Sequence, residues 1–250
     1  MVAAEHPSLA HARVLYNAAD YDGAIDAAAA ALVDSASADA ATLVRARAHL
    51  ERYRITLDPE DLASARTALG TIRAAGLTPR DSLDLLVGLG QALYLGETFG
   101  AAAELFDVAL SRRSALDEVD QLKLLDWWAS AMNREAWRLP VDRRLALLGE
   151  VRARMEEEVR QDPGSPTANY WLAAAARGVG DLERAWSAAV AAWVRAPLRA
   201  ETAAVLRADI DRFVTEVLVP EQARTQPTQE TTDAGATLLS RWKAVKAQWQ

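Results

Sequence analysis

Apolar residues recur at intervals of three and four along most of the chain, the spacing that places side chains on one face of an α-helix. The segment GDLERAWSAAVAAWVRAP has a turn at Gly180 and Asp181, a run of small apolar residues at helical spacing, and Pro197 at its end. Asp181 suits the N-cap of a helix, and Pro197 cannot continue one. Runs of β-branched residues with a period of two are absent from the sequence, so the pattern predicts an all-α fold.

Three segments share one order of features: a helical pattern, a short polar turn and a second helical pattern. They are LAHARVLYNAADYDGAIDAAAAALVDS, LLVGLGQALYLGETFGAAAELFDVAL and the stretch that ends in the segment quoted above. An alanine follows each turn, at Ala24, Ala102 and Ala185. A side chain this small lets two helices approach closely, so each segment is predicted to be an antiparallel helix hairpin.

Two weaker hairpins are predicted in the intervals between these copies. One covers 41–72 and breaks at Asp58-Pro59, and the other covers 116–160 and breaks at Pro140. Five equivalent alanines then lie 37 to 44 residues apart, at Ala24, Ala65, Ala102, Ala146 and Ala185. Residues 6–198 are therefore predicted to form five helix pairs.

The pattern of the three clear copies resembles the tetratricopeptide repeat (TPR). That repeat has a small residue and a leucine or tyrosine in its first helix, a Gly-Asp-Tyr-like turn, and small residues or Phe in its second helix. The resemblance implies an α-solenoid over 6–198 that acts as a protein–protein interaction module or scaffold. Its usual length is about 34 residues, so the longer spacing here predicts an irregular superhelix.

The C-terminal part has a different pattern. Residues 199–220 carry an apolar stripe that predicts one helix, 221–232 are polar and predict a linker, and 233–250 predict an amphipathic helix. One face of the last helix carries Leu238, Trp242, Val245 and Trp249. Three interpretations compete: the helix caps the last repeat, occupies the groove as an internal ligand, or joins a second subunit in a homo-oligomer. Three basic residues are expected opposite the apolar face, at Arg241, Lys243 and Lys246.

The amino-acid composition argues against several classes of function. The chain has a formal net charge of −7, whereas nucleic-acid-binding proteins normally carry a basic face, so no nucleic-acid partner is expected. It has no cysteine, which excludes disulfides and thiol chemistry. No apolar run reaches the roughly 18 residues of a membrane span, and MVAAEHPSLA lacks the features of an export signal. We expect a cytoplasmic protein without an integral membrane segment; the alternative is a periplasmic or cell-envelope protein whose signal peptide has been removed.

Catalytic and metal chemistry find little support in the sequence. His6 and His11 are five residues apart and do not share a helical face, and His49 is remote from both. Gly88 and Gly90 lie in GLGQAL, an incomplete phosphate-loop pattern with no preceding strand, so they are interpreted as helix-packing positions. The sequence predicts no catalytic residue, no cofactor and no metal site. An enzyme whose catalytic set is not visible in chain order is the least favoured hypothesis.

The TPR resemblance implies that the first helix of each hairpin lines a concave groove. Projected onto this chain, it selects Arg13, Tyr16, Asn17, Arg47, Arg54, Gln91, Tyr94, Tyr170 and Arg177. Arginine and tyrosine suit an extended peptide or an acidic group, which predicts a preference for acidic or extended peptide ligands through Arg13, Arg47 and Arg54. The Lys and Asn clamp of chaperone-binding relatives is not matched, since Leu9 and Arg13 stand at those positions.

Eight tryptophans are unusual in a chain so rich in alanine. The favoured interpretation is that their rings fill space opposite small residues. The alternative is an aromatic pocket, which would make the chain a small-molecule or lipid-binding accessory protein. An open groove of tyrosine and arginine would favour peptide binding, and an enclosed apolar cavity would favour the pocket.

Overall fold

Every regular element is a helix in the computed structural model, which describes residues 7–199, 203–225 and 231–249. The all-α prediction is confirmed for these residues. The α-helices are α1 Pro7–Asn17, α2 Tyr21–Ala31, α3 Ala38–Thr56, α4 Pro59–Thr71, α5 Pro79–Leu95, α6 Phe99–Leu110, α7 Glu118–Ala136, α8 Val141–Gln161, α9 Pro166–Gly178, α10 Leu182–Arg195, α11 Ala203–Arg212, α12 Val219–Arg224 and α13 Thr231–Gln248. No helix among the described residues combines the length and apolarity that crossing a membrane requires.

Three of the hairpins turn in the same way. The residue before the N-cap of the second helix has a left-handed backbone: φ is +59° at Ala19, +61° at Glu97 and +87° at Gly180. In each turn the next backbone N–H bonds, at 2.9 Å, to the carbonyl five residues back, as in a Schellman motif. The three pairs are Asp20 N with Leu15 O, Thr98 N with Leu93 O, and Asp181 N with Ala176 O. These are the three copies that the sequence pattern separates from the weaker hairpins.

The second helix of each of these hairpins begins in a common way. The N–H groups of Ala24, Ala102 and Ala185 donate to the carbonyls of the three N-cap residues at 2.9 to 3.0 Å. All three alanine side chains are fully buried. Asp20 and Asp181 also cap their helices with a carboxylate oxygen, at 3.0 and 3.1 Å from a backbone N–H.

The chain reverses direction by different turns in the two weaker hairpins. Leu57, with φ of +58°, makes a single bond from its N–H to Tyr53 O at 2.8 Å. Asp58 then caps α4, which starts with Pro59 in its first turn. The connection from α7 to α8 ends at Pro140, which precedes the first residue of α8.

The chain divides into two compact units, Met1–Ala131 and Met132–Gln250. In the first, α1 packs against α2, α3 against α4, and α5 against α6; α1 also contacts α3, and α3 contacts α5. Leucine and alanine side chains from α3, α4 and α5 form one core cluster, and α1, α2 and α3 share another. Gly90 lets α5 approach α6, since a Cβ there would lie 2.5 Å from Phe106 Cε1. The helix-packing interpretation of Gly90 is confirmed.

In the second unit, α8 packs against α9 and α9 against α10, while α10 also contacts α11. Ala185 and Ala189 are buried on α10, as predicted for a close contact between helices. The α10 helix ends at Arg195, two residues before Pro197, as the sequence predicts. Helix α12 packs against α13.

The predicted end of the C-terminal helix at Pro220 is wrong. After α11, a π-helical turn, Phe213–Leu218, leads directly into α12, which ends at Arg224. Val219 N–H bonds to Val214 O, five residues back. Proline is tolerated in the first turn of α12 because a first-turn N–H needs no partner within that helix. The predicted linker 221–232 is therefore helical at both ends, over 221–224 and from Thr231, and its residues 226–230 lie outside the described residues.

Gly180→Ala is expected to lower the free energy of unfolding by about 1–2 kcal/mol, because alanine disfavours the left-handed conformation. Gly149→Ala is the matched control, since a Cβ meets nothing within 4 Å at either position and Gly149 lies inside α8. It should instead raise the free energy of unfolding, by about 0.5–1 kcal/mol. Urea unfolding of both variants measures the difference. Shifts of the same sign would contradict the role given to the turn.

Candidate functional site

One cavity in the first unit brings charged and aromatic side chains together. It has a volume of about 420 Å³, and α1, α3, α5 and α7 all contribute to its lining. The lining includes four basic and four acidic side chains: Arg13, Arg47, Arg80, Lys123, Glu51, Asp81, Asp84 and Asp120. Ligand sites in proteins are commonly concavities of roughly 300–1,000 Å³, so this cavity is the candidate site.

Helical spacing explains which face of α5 lines the cavity. Arg80, Asp84, Val87 and Gln91 follow one another at intervals of four, three and four, so they share one face of the helix. Sequence reasoning selected only Gln91 from these four. Continuing the same face towards the start of α5 would have identified the others.

Ion pairs connect the helices around the cavity. Arg13 on α1 donates to Asp81 on α5 at 2.7 Å. Asp81 also accepts from the Thr78 hydroxyl at 2.8 Å, while its N–H donates to that hydroxyl at 3.1 Å, so one buried carboxylate holds both the start of α5 and the side of α1.

Two further arginines of the lining are paired in the same way. Arg47 on α3 lies 3.1 Å from Asp84 on α5. Arg80 on α5 donates to Asp120 on α7 at 2.6 Å. Arg13 and Arg47 are expected from the sequence to bind an acidic ligand, but each guanidinium already lies against a carboxylate of the chain.

Arg47 is held on two sides. Its guanidinium lies over the ring of Tyr16, 4.9 Å from the centroid, while one Nη contacts Asp84. Burial raises the pKa of Tyr16 to about 12, although the charge of Arg47 acts in the opposite direction. Burial alone would lower the pKa of Arg47, but the negative charges of Asp84, Asp120 and Glu51 raise it, as Tyr16 would in its ionised form. Arg47 therefore remains cationic and Tyr16 remains neutral.

Aromatic side chains close one end of the cavity at Trp127. The ring of Tyr94 meets the Trp127 ring edge-on at 4.9 Å, and the Tyr94 hydroxyl lies 2.7 Å from the Ser130 hydroxyl. Arg54 lies over the same indole, 5.1 Å from its centroid, and donates to Glu51 at 2.6 Å. The tryptophan is thus fixed from α3 and from α5.

The structure brings together part of the predicted groove. Five of the nine predicted residues line the cavity: Arg13, Tyr16, Asn17, Arg47 and Gln91. Arg54 and Tyr94 are adjacent to it through their contacts with Trp127. The remaining two, Tyr170 and Arg177, belong to the second unit.

Arg177 and Tyr170 have partners of their own in that unit. Arg177 Nε donates to Glu221 at 2.7 Å, and a second N–H of Arg177 bonds to the other carboxylate oxygen. Its guanidinium also lies over Trp137, 4.7 Å from the ring centroid. Tyr170 packs edge-on against Phe213 at 6.1 Å. Arg177 therefore connects α9 to α12, a contact that its position in the first helix of a hairpin did not predict.

Trp242 is the buried centre of the α13 contact. Its ring packs edge-on against Trp186 at 6.2 Å and Trp193 at 5.4 Å, and its Nε1–H donates to Asp211 at 2.7 Å. Trp242 is fully buried, whereas Trp249 on the same face is 46 % exposed. Leu238 and Val245 are half-buried.

The expectation that the basic residues of α13 lie opposite its apolar face is wrong for two of the three. Lys246 donates to Asp211 at 2.7 Å, beside the Trp242 N–H. Arg241 lies over the Trp186 ring, 4.8 Å from its centroid. Both flank Trp242 because their long side chains reach around the helix to an acceptor and to an aromatic face. Lys243 is exposed, as expected.

The tryptophans of the described residues mostly pack against protein. Five are buried, namely Trp128, Trp171, Trp186, Trp193 and Trp242, while Trp127 is half-buried and Trp137 and Trp249 are exposed. In the second unit, three buried indoles contact one another. Burial of five indoles favours the interpretation that the rings are packing elements, although the ring–ring contacts in the second unit join indoles to one another rather than to small residues.

A second polar cluster joins α2, α3 and α4. His49 Nδ1 lies 2.8 Å from Asp61 Oδ1, and Arg52 donates to both oxygens of the same carboxylate at 2.6 to 3.0 Å. Arg52 also donates to Asp22 at 2.6 Å. Hydrogen bonds from Arg52 lower the pKa of Asp61, although burial acts against this shift. Sequence reasoning missed the cluster, whose hydrogen-bonded pairs are 9 to 30 positions apart in the chain.

Within the part of the chain that the structure describes, the hydrogen bond recorded for the His49 ring is the one to Asp61. His49 and Ser64 line one cavity, but the structure shows no hydrogen bond between the Ser64 hydroxyl and the imidazole. Across 7–199, 203–225 and 231–249, no group of three or more His, Asp and Glu side chains is placed to hold a metal ion. Of the other histidines, His11 is exposed on α1 and His6 lies outside the described residues.

Trp242→Ala is expected to lower the free energy of unfolding by about 3–5 kcal/mol, because it removes a fully buried ring. Trp249→Ala is the matched control on the same helix and should change that free energy by less than about 1 kcal/mol, because its ring is half exposed. Equilibrium unfolding in urea measures both. Equal losses in the two variants would contradict the packing of α13 described here.

The free energy of unfolding should fall in acid, partly because the Asp61 carboxylate becomes protonated. Its pKa is lower in the folded chain, so its contribution is present above the unfolded pKa of about 3.9 and is lost as the pH falls through the folded value. Asp61→Asn should lower the free energy of unfolding at pH 7 by about 1–3 kcal/mol and make the decline below pH of about 4 shallower. Urea unfolding at a series of pH values measures both effects.

Asp22→Asn is the control for this measurement, because Asp22 binds the same arginine from an exposed position. Asp22→Asn should lower the free energy of unfolding by less than about 1 kcal/mol. A pH dependence that is identical in Asp61→Asn and in the unmodified chain would show that Asp61 does not carry the effect.

Neither a protein-family model nor a curated protein matches the sequence of this chain. The resemblance to the tetratricopeptide repeat therefore remains a prediction from the sequence pattern.

Proposed function

We propose that the chain is a non-catalytic, TPR-like binding protein whose first unit holds an extended segment of a partner protein in the cavity lined by α1, α3, α5 and α7. The observation that carries this proposal is that the first helices of successive hairpins all contribute to one cavity. Each contributes polar or aromatic side chains at helical spacing. A segment that crossed these helices would meet a new set of side chains on each one.

The helix contacts support a solenoid arrangement within the first unit. The α1 helix contacts α3, and α3 contacts α5, so first helices follow one another directly. Second helices also pack against the first helix of the next hairpin, as α2 does against α3 and α4 against α5. Contacts of this kind between nearest neighbours are typical of repeat proteins.

The charge of the cavity supports a protein partner rather than a nucleic acid. Its four basic side chains are matched by four acidic ones, and no surplus positive charge is available for a phosphate backbone. A lipid tail is also a poor fit, because burying an apolar chain against ionised groups would remove their hydration.

In the second unit, we propose that α13 caps the helices that precede it. The fully buried ring of Trp242 packs against both Trp186 and Trp193. This supports capping over the alternatives of an internal ligand and of a contact between two subunits, although Trp249 still leaves an exposed aromatic ring near the end of the helix.

The second candidate function is the binding of a small polar molecule in the same cavity. Its volume of about 420 Å³ favours this candidate, because it suits a compact ligand as well as a peptide segment. The tryptophan-rich pocket considered from the sequence has less support, because the indoles of the second unit contact one another.

Selection from a random peptide library, with each peptide held between two folded flanking proteins, tests the first proposal on the full chain. Enriched peptides should bind the unmodified chain. They should lose at least about tenfold in affinity, equivalent to about 1.4 kcal/mol, when Val87→Trp places an indole in the cavity.

Val141→Trp is the matched control for this experiment, because Val141 is 55 % exposed on α8. It should leave the affinity unchanged. Peptides that bind the Val87→Trp variant as tightly as the unmodified chain would place the site elsewhere. If no peptide is enriched and small polar molecules raise the melting temperature of the chain but not of Val87→Trp, the second candidate is correct.

A further inference from the structure

A second cavity of the first unit has a lining of different charge from the one lined by α1, α3, α5 and α7. It lies between α3 and α4 and has a volume of about 480 Å³. Two alanines and five polar side chains line it, and among the described residues no carboxylate does. The polar side chains are Arg45, His49, Ser64, Thr67 and Thr71. The two groups that carry or can gain charge are both basic, so the lining is complementary to an anion.

Arg45 is a cation whose nitrogens are open to a ligand. No hydrogen bond or ion pair joins its guanidinium to any residue within 7–199, 203–225 and 231–249. None of its nitrogens is among the unpaired side-chain atoms that the described chain occludes from solvent. Arg13 and Arg47, in contrast, each lie against a carboxylate. Arg45 can therefore bind an anion without releasing a partner of its own.

The His49 ring is oriented by Asp61. Arg52 donates to both oxygens of that carboxylate and lowers its pKa, so Asp61 is ionised and can only accept. His49 Nδ1, 2.8 Å away, therefore carries a hydrogen. The other ring nitrogen, Nε2, has no partner in the described part of the chain and is not occluded. Nε2 is thus the nitrogen of His49 that is available to a ligand in this cavity.

Ser64 supplies a hydroxyl from the opposite helix. The Thr67 and Thr71 hydroxyls donate to carbonyls of α4 at 2.9 and 2.8 Å, so their hydrogens are already used. The Ser64 hydroxyl is exposed and makes no hydrogen bond to another described residue. Ser64 is therefore the side chain of α4 that can donate into the cavity.

The contact between His49 and Asp61 sets the level at which these antiparallel helices meet. Arg45 lies four residues back along α3 and Ser64 three residues on along α4, displacements of about 6 and 4.5 Å in the same direction. Arg45 and Ser64 are therefore level to within about 1.5 Å, since each residue adds that rise. Arg45 and His49 also share one face of α3 as an i, i+4 pair. One compact ligand can contact all three side chains.

We propose that the cavity between α3 and α4 binds a phosphate group, whose oxygens accept from Arg45 and from the Ser64 hydroxyl and contact His49 Nε2. The guanidinium of arginine suits this group because it can donate two parallel hydrogen bonds to phosphate oxygens. Phosphate also matches His49 in either protonation state. An imidazolium donates to a phosphate oxygen, and a neutral imidazole accepts from the hydroxyl of a singly protonated phosphate. An ionised carboxylate has no O–H, so it matches the imidazolium alone.

This site goes beyond the proposed peptide binding and lies on another face of α3. Arg45 and Arg47 are two residues apart, so their side chains leave the helix in directions that differ by about 200°. The cavity is also larger than a phosphate group. The organic part of a phosphate ester has room beside Ala63 and Ala68, which complete the lining.

The test is an NMR titration of the full chain, labelled with ¹³C in its histidine rings, at constant pH and ionic strength. Inorganic phosphate, methyl phosphate and acetate are the probes. The His49 ring signal should shift saturably with both phosphates, and acetate should bind at least about tenfold more weakly. The signal of His11, which is exposed on α1, should show no saturable shift. Tighter binding of methyl phosphate would identify the ligand as an ester, and tighter binding of inorganic phosphate as the free ion.

Two variants assign the contact. Arg45→Gln removes the charge and should weaken phosphate binding at least about tenfold. Ser64→Ala removes the hydroxyl and should weaken it about three- to tenfold. Both should melt at nearly the same temperature as the unmodified chain, because Arg45 has no ion pair to lose and Ser64 is exposed. Arg143→Gln, at an exposed position on α8, removes the same charge and is the matched control that should leave binding unchanged.

The proposal is overturned if the His49 signal shows no saturable shift, if acetate binds as tightly as phosphate, or if Arg45→Gln leaves phosphate affinity unchanged. Equal losses in Arg45→Gln and Arg143→Gln would also overturn it, because phosphate would then respond only to overall charge. If Arg45→Gln melts well below the unmodified chain, Ser64→Ala decides: weakened binding supports the proposal, and unchanged binding removes it. The peptide selection tests the other face of α3, so either result can fail without the other.

Discussion

The left-handed turn between paired helices is the constraint on which the rest of the fold depends. In three hairpins, one residue with positive φ and the N-cap after it reverse the chain within three residues. So short a connection leaves the two helices no freedom to separate. The fourth residue of the second helix must then be small, and a fully buried alanine occupies that position at Ala24, Ala102 and Ala185. These three alanines follow from this geometry.

The turns also determine where the polar side chains lie. Because each second helix folds back on its own first helix, the opposite face of that first helix is left to meet the next hairpin. In the first unit this brings α1, α3 and α5 into direct succession. Their charged side chains then pair across the helices, as Arg13 does with Asp81. A lining of ion pairs is the outcome of stacking amphipathic helices whose free faces carry both signs of charge.

The sequence predicted the helices well because local signals control them. Periodicity, N-caps and prolines lie within a few residues of the structure they determine, and the end of α10 before Pro197 is an example. Contacts between distant residues were not predictable in this way: Arg13 and Asp81 are 68 positions apart. Trp242 and Trp249 share one helical face, yet only Trp242 is buried, because its neighbours come from other helices. The prediction that the helix ends at Pro220 was wrong because a π-helical turn precedes this proline and leads into a further helix.

The matched charges of the cavity have a kinetic consequence. Paired opposite charges cancel at distances beyond the Debye length, which is about 8 Å at physiological ionic strength. These pairs therefore add no long-range field of their own, and for a partner that the net charge of −7 neither attracts nor repels, the association rate would lie in the ordinary range of about 10⁵–10⁷ M⁻¹ s⁻¹ with little dependence on salt. Discrimination between partners would then rest on how long each complex survives, which only the contacts made inside the cavity can prolong.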